Sequence, residues 1–120
     1  AVAPVDVHLP SGDVVQPDIL FVRADRQGII QDWVNGAPDL VIEVLSPRDG
    51  TERDRLVKRA LYGRNGVPEY WIVDPVSMTI EVYRIESGGY GQPAVSEAED
   101  TLTTSVLPGL ALPVSSIFPT

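Results

Sequence analysis

The spacing of apolar residues changes twice along this chain, and the changes mark its central elements. From Leu40 to Leu45 five of six positions are aliphatic, with Glu43 the exception, and Pro38 and Pro47 bound the run. An unbroken aliphatic run between prolines predicts a strand buried on both faces. From Thr51 to about Arg64 the period becomes helical, and Leu56, Val57, Ala60 and Leu61 form one apolar face. Asp49 or Thr51 is suited to cap the start of this helix, and Asn65-Gly66 to stop it. Glu69 to Val73 returns to a strand pattern and ends at Asp74-Pro75. Met78 to Ile85 then alternates, with Ile80, Val82 and Tyr83 set against Thr79, Glu81 and Arg84. Strand, helix, strand predicts a right-handed crossover between parallel strands, and the alternating run predicts a hairpin after it.

The flanks are less regular. Val2 to His8 alternates loosely, Pro10-Ser11-Gly12-Asp13 reads as a turn, and Val14 to Val22 contains the run Ile19-Leu20-Phe21-Val22, entered through Pro17-Asp18. Together they predict a second hairpin. Arg23 to Gly36 is polar and irregular, with Ile29, Ile30 and Trp33 packing locally. Ser87-Gly88-Gly89-Tyr90-Gly91 predicts a turn and Thr101 to Val106 a last strand. Leu107 to Thr120 holds three of the eleven prolines and predicts extended, irregular chain. The fold expected is a single β-rich α/β (α+β) domain over residues 1–120, with a mixed sheet around the crossover. One helix cannot cover both faces of so apolar a sheet. A second copy of the chain, or a helix upstream of Ala1, is expected on the other face.

Composition narrows the chemistry. There is no cysteine, so disulfides and thiolate metal sites are excluded, and a metal would need oxygen or imidazole ligands. No apolar run approaches the ~20 residues of a membrane span, and the plain expectation is a cytoplasmic protein that does not enter membranes. The net charge of −8 argues against broad, sequence-independent nucleic-acid binding. It is unevenly spread. Arg48, Arg53, Arg55, Lys58, Arg59 and Arg64 share one segment with Asp49, Glu52 and Asp54, six basic against three acidic residues, a local +3 that leaves −11 for the rest. Such a patch can guide an anion to an acidic protein; its plainer reading is a solvated helix face.

Glu43 is the residue this pattern leaves unexplained. An ionised carboxylate inside an aliphatic strand costs several kcal/mol unless a cation, a metal or a proton compensates it. Asp18 sits at the head of another apolar strand, and if the two strands are neighbours the acids converge. Paired hard-oxygen anions with a backbone carbonyl suit Mg²⁺ or Mn²⁺. Lys58, near the edge of the helical apolar face, can reach toward the same strand and steady negative charge on a phosphate. Plainer readings stand beside these. Asp18 caps a turn, Glu43 pairs with an arginine or lysine of the helix, and Lys58 pairs with Asp54 at i, i+4. Asp39 reads as a strand-entrance residue and Asp54 as a helix-face charge. His8 reads as non-functional and Ser46 as a turn residue. Tyr62, Tyr70 and Trp71 read as core or interface aromatics.

Val15-Gln16-Pro17-Asp18-Ile19, the run Pro38 to Pro47, Asp54 through Lys58 to Tyr62, and Gly66-Val67-Pro68-Glu69-Tyr70-Trp71-Ile72-Val73-Asp74-Pro75 together resemble the Uma2 (DUF820) family. That family is assigned to the PD-(D/E)XK, restriction-endonuclease-like superfamily. The resemblance spans about Val14 to Pro119 and is strongest from Pro38 to Pro75. It implies a restriction-endonuclease-like core and a Mg²⁺- or Mn²⁺-dependent endonuclease site cutting phosphodiester bonds of nucleic acid, DNA ahead of RNA. Asp18 stands for the aspartate of the Pro-Asp motif and Glu43 for the acidic residue of (D/E)XK, with the Val44 carbonyl as a further metal ligand. The motif's lysine position is Leu45 here, a departure, and Lys58 on the following helix matches the displaced lysine. The implied catalytic set is therefore Asp18, Glu43 and Lys58. The family fold begins with a helix and a strand ahead of the first Pro-Asp pair, outside these 120 residues, and an acidic residue on that helix often completes the site. The alternative expectation is a catalytically inactive interaction module of the same fold. A homodimer is expected in either case.

Overall fold

The computed structural model describes residues 5–46 and 52–118. In chain order its strands are β1 (Val7–His8), β2 (Val14–Val15), β3 (Ile19–Phe21), β4 (Val34–Asn35), β5 (Leu40–Val44), β6 (Glu69–Asp74), β7 (Thr79–Glu86), β8 (Gly89–Tyr90), β9 (Ala94–Ser96), β10 (Thr101–Leu102) and β11 (Leu112–Pro113). Helix α1 (Glu52–Arg64) lies between β5 and β6, and short 3₁₀ segments cover Ala24–Ile29 and Val114–Ser116. The capping positions Asp49 and Thr51, together with Arg48, lie outside the described residues.

The main sheet runs β3-β5-β6-β7, with β8 and β9 both paired to β7. β5 and β6 are parallel, Leu40 opposite Glu69 through Val44 opposite Val73, as a crossover through α1 requires. β7 returns antiparallel to β6, the expected hairpin. A two-residue turn, Ser87-Gly88 at φ of 41° and 86°, carries it into β8. Positive φ at both positions matches strand twist in such tight hairpins. The sheet is mixed and the fold is strand-rich α/β, as the sequence implies.

The front of the chain departs from the expected hairpin. β1 pairs with β2, Val7 opposite Val15, but β3 leaves to lie antiparallel beside β5, with Ile19 opposite Ile42 and Phe21 opposite Leu40. Pro17, which has no N–H to donate, separates the two pairings. The supposedly irregular stretch holds a 3₁₀ turn and β4, which runs parallel to β1. Ile29 packs on the core and Trp33 lies against the His8 ring at 5.1 Å.

Alternation divides the sheet residues between two layers. On the helix side Val41, Tyr70, Ile72 and Tyr83 pack with Tyr62, Val67, Val7, Leu20 and Val34. On the other side Leu40, Ile42, Trp71, Val73, Ile80 and Val82 are covered by Leu102, Val114 and Phe118, with Leu107, Leu110, Leu112 and Ile117 around them. This corrects the expectation of a second copy or an upstream helix there. The C-terminal segment supplies the cover, and that reason for a dimer disappears. The expected strand from Thr101 to Val106 shortens to β10, which pairs with β11 in a ribbon of its own. Proline-rich chain cannot add a regular ladder to the sheet, but its apolar side chains can still plaster the face. A buried acid pins the segment down. Glu69, 2 % exposed, accepts from Trp71 Nε1 at 2.7 Å and from Thr104 Oγ1 at 2.6 Å, with Arg84 Nε at 3.7 Å.

Helix α1 is also rotated from expectation. Leu56 and Val57 are exposed, at 45 % and 57 %, and the buried residues are Tyr62 and Gly63. The face that packs is Arg55, Arg59, Leu61, Tyr62 and Gly63, so of the expected apolar face Leu61 does meet the core. A Cβ at Gly63 would come within 3.3 Å of the Tyr90 ring, so glycine permits the close approach to β8. Arg59 lies 5.2 Å over the Tyr83 ring and donates to its hydroxyl at 3.1 Å. Aromatic surface on the sheet selects this phase, because a large ring removes more apolar area from water than the aliphatic pair.

Candidate active site

Period-two alternation along β5 turns Val41 and Glu43 toward α1 while Leu40 and Ile42 face the C-terminal segment. Glu43 is thereby buried at 8 % exposure. Because β3 is antiparallel to β5 with Ile19 opposite Ile42, Asp18 arrives beside the end of β5. Its Oδ2 accepts the Val44 N–H at 2.8 Å. On α1, Asp54, Lys58 and Tyr62 are four residues apart, so they lie on one ridge of the helix. Tyr62 Oη donates to Glu43 Oε1 at 3.1 Å. Asp18, Glu43, Val44, Lys58, Asp54, Arg55 and Tyr70 line one cleft of about 560 Å³ between the end of β5 and the first turns of α1.

The electrostatics of the cleft centre on Glu43. Burial pushes its pKa above the ordinary 4.5; the Lys58 charge pulls it down, the Asp18 charge pushes it up, and the Tyr62 hydroxyl and the Asp18 backbone favour the charged form. Burial and the Glu43 charge raise the Tyr62 phenol far beyond its usual range, so it is a donor at any working pH. Among the described residues no ion pair within 4 Å engages Asp18 or Glu43, and no arginine plugs the pair. The described residues contain no cluster of three or more acids or histidines able to hold a metal. Asp18, Glu43 and Asp54 are the carboxylates among the residues that line the cleft.

The remaining candidates fall elsewhere. Asp39 is a buried structural acid at the far end of β5, paired with Arg26 at 2.9 Å and accepting the Arg23 N–H at 2.8 Å. His8 lies tilted against Trp33, and Trp71 faces the opposite layer toward Glu69. Tyr70 is in the core and also lines the cleft. Tyr62 was expected only as a packing aromatic, and its bond to Glu43 is new. The four-residue spacing from Lys58 was the available signal.

No curated protein matches the chain. Among solved structures it is similar to a "putative nuclease belonging to DUF820" from Anabaena variabilis ATCC 29413, at 24 % identity and a TM-score of 0.75. That similarity covers 96 % of this chain and 65 % of the other, so the chain spans less than two thirds of that protein's length. The family model of Uma2, described as "Putative restriction endonuclease", matches residues 1–115. With nearly the whole length matched, the chain belongs to the Uma2 family.

Proposed function

We propose that this domain is a divalent-metal-dependent endonuclease hydrolysing phosphodiester bonds of nucleic acid, DNA ahead of RNA. The observation that carries the reading is that Asp18 and Glu43, remote in sequence, border one cleft with Lys58, and among the described residues no ion pair within 4 Å engages either acid. The donor set fits Mg²⁺ or Mn²⁺. Both are hard ions that prefer oxygen, and Mg²⁺ commonly uses one or two carboxylates and keeps several waters. A cation would also relieve the repulsion between the two acids, which now raises the pKa of Glu43. Asp18, Glu43 and the Val44 carbonyl would hold it. When bound, such an ion supplies a Lewis acid for a phosphoryl oxygen and a nucleophile at neutral pH.

The chain's own groups do the rest. The Lys58 charge opposes the burial that raises the pKa of Glu43, and its amine would meet negative charge gathering on the phosphate. Arg55, on the same cleft wall, adds a second positive charge for the substrate backbone. This local field is how an acidic domain would draw in a polyanion. Calorimetric titration with Mn²⁺ tests the reading. Binding should appear in the native chain and be lost in Asp18→Ala and Glu43→Ala, while Lys58→Ala should bind the ion and abolish cleavage of DNA. Unchanged binding in both acid variants removes the metal site. The net charge of −8 favours a second reading, a non-catalytic module of the same fold, and absence of cleavage with intact metal binding would support it.

A further inference from the structure

A tyrosine in a hydrophobic core needs a partner for its hydroxyl, and in this fold the partner is the buried acid. Tyr62 is 1 % exposed and its ring lies 5.0 Å from that of Tyr70, so packing fixes where the hydroxyl points. At 3.1 Å it engages one oxygen of Glu43. Across the cleft the Val44 N–H engages one oxygen of Asp18 at 2.8 Å. The Asp18 backbone also hydrogen-bonds Glu43, so the two acids are tied to each other as well as to the Tyr62 hydroxyl and the Val44 N–H. Phenylalanine would serve the packing equally well, so the hydroxyl is explained by the carboxylate and not by the core. Tyr62 also lies one helical turn beyond Lys58, so its anchorage fixes the phase of α1 that brings the amine to the cleft.

We propose that Tyr62 is a positioning residue that orients Glu43, so that Glu43 and Asp18 present oxygens together to a hard divalent cation. The proposal rests on the metal-dependent reading above. Partners that orient metal ligands typically contribute 10–100-fold in affinity. Tyr62→Phe keeps the ring and should weaken Mn²⁺ binding about tenfold in calorimetry of the 120-residue chain. The electron paramagnetic resonance spectrum of the bound Mn²⁺ should change as well, a readout that loss of packing alone would not move. Glu43→Asp withdraws the carboxylate from the hydroxyl without touching the core; it should weaken binding likewise, and adding Tyr62→Phe to it should change nothing further. Equal Mn²⁺ affinity in Tyr62→Phe and the native chain overturns the role of Tyr62 and leaves the metal site standing. An equal further loss in the Glu43→Asp background overturns it too, since the effect would then not pass through Glu43. If the native chain binds no Mn²⁺, the metal site and this role fall together.

Discussion

Thr104→Val replaces a hydroxyl by a methyl of nearly the same shape at the point where the C-terminal segment meets the sheet. The hydroxyl donates to Glu69 Oε2 at 2.6 Å and accepts the Val106 N–H at 3.1 Å. Glu69 is almost fully enclosed, so water cannot replace the lost donor. Trp71 remains on the other oxygen, and Arg84 stands off at 3.7 Å with its side chain half exposed, too distant and too wet to compensate. A hydrogen bond to a charged group is worth about 1.5–3 kcal/mol, so the expected loss is about 2 kcal/mol. For a domain of this size that lowers Tm by about 8 °C. Urea unfolding followed by tryptophan fluorescence measures the loss, with Trp71 reporting on the site. Thr104→Ser, which keeps the hydroxyl, is the control and should stay within about 0.5 kcal/mol of the native chain. A valine variant as stable as the native chain, or a serine variant equally weakened, would refute the assignment of Glu69 and Thr104 as the anchor of this segment.

Phe118→Ala, at a site 6 % exposed over Trp71 and its neighbours, should cost about 3–5 kcal/mol and expose the sheet face to a hydrophobic dye; an unchanged denaturation midpoint would show that the segment does not cover the face. Arg26→Met leaves the buried Asp39 with the Arg23 N–H as its donor among the described residues, and should cost about 2 kcal/mol, less than a fully buried pair because Arg26 is partly exposed. The same denaturation curves check it. Glu43→Gln should stabilise the metal-free protein at neutral pH. The folded pKa of Glu43 is raised, so its contribution to stability is full below pH 4.5 and is lost as pH rises through the raised value. Thermal unfolding in a chelator should therefore show the glutamine variant ahead at pH 7 and level with the native chain at pH 4; equal stability at pH 7 would contradict the buried, strained acid.

Much of the centre was legible because it depends on local rules. The Leu40–Val44 run between prolines, the crossover helix and the Glu69–Asp74 hairpin follow from periodicity and turn chemistry, which neighbouring residues decide among themselves. The position of Glu43 in that run marked a carboxylate needing compensation, and its convergence with Asp18 on one cleft follows once β3 lies beside β5. Other features depended on partners distant in sequence. Leu56 and Val57 looked like the packed face of α1, yet the rings of Tyr70, Tyr83 and Tyr90 select Tyr62 and Gly63 instead. Which strand β3 joins, and what covers the far face of the sheet, could not be read from two short stretches whose own preferences are weak.

By itself, then, the order of residues determined the period of each central element, the exclusion of thiolate chemistry and the acid that burial makes costly. The tertiary structure alone decided that Tyr62 answers Glu43, that Thr104 answers Glu69, and that a proline-rich tail closes the second layer. Each of these matches a buried polar or apolar surface to a complement from elsewhere in the chain. Desolvation makes such matches obligatory, but only packing chooses the mate.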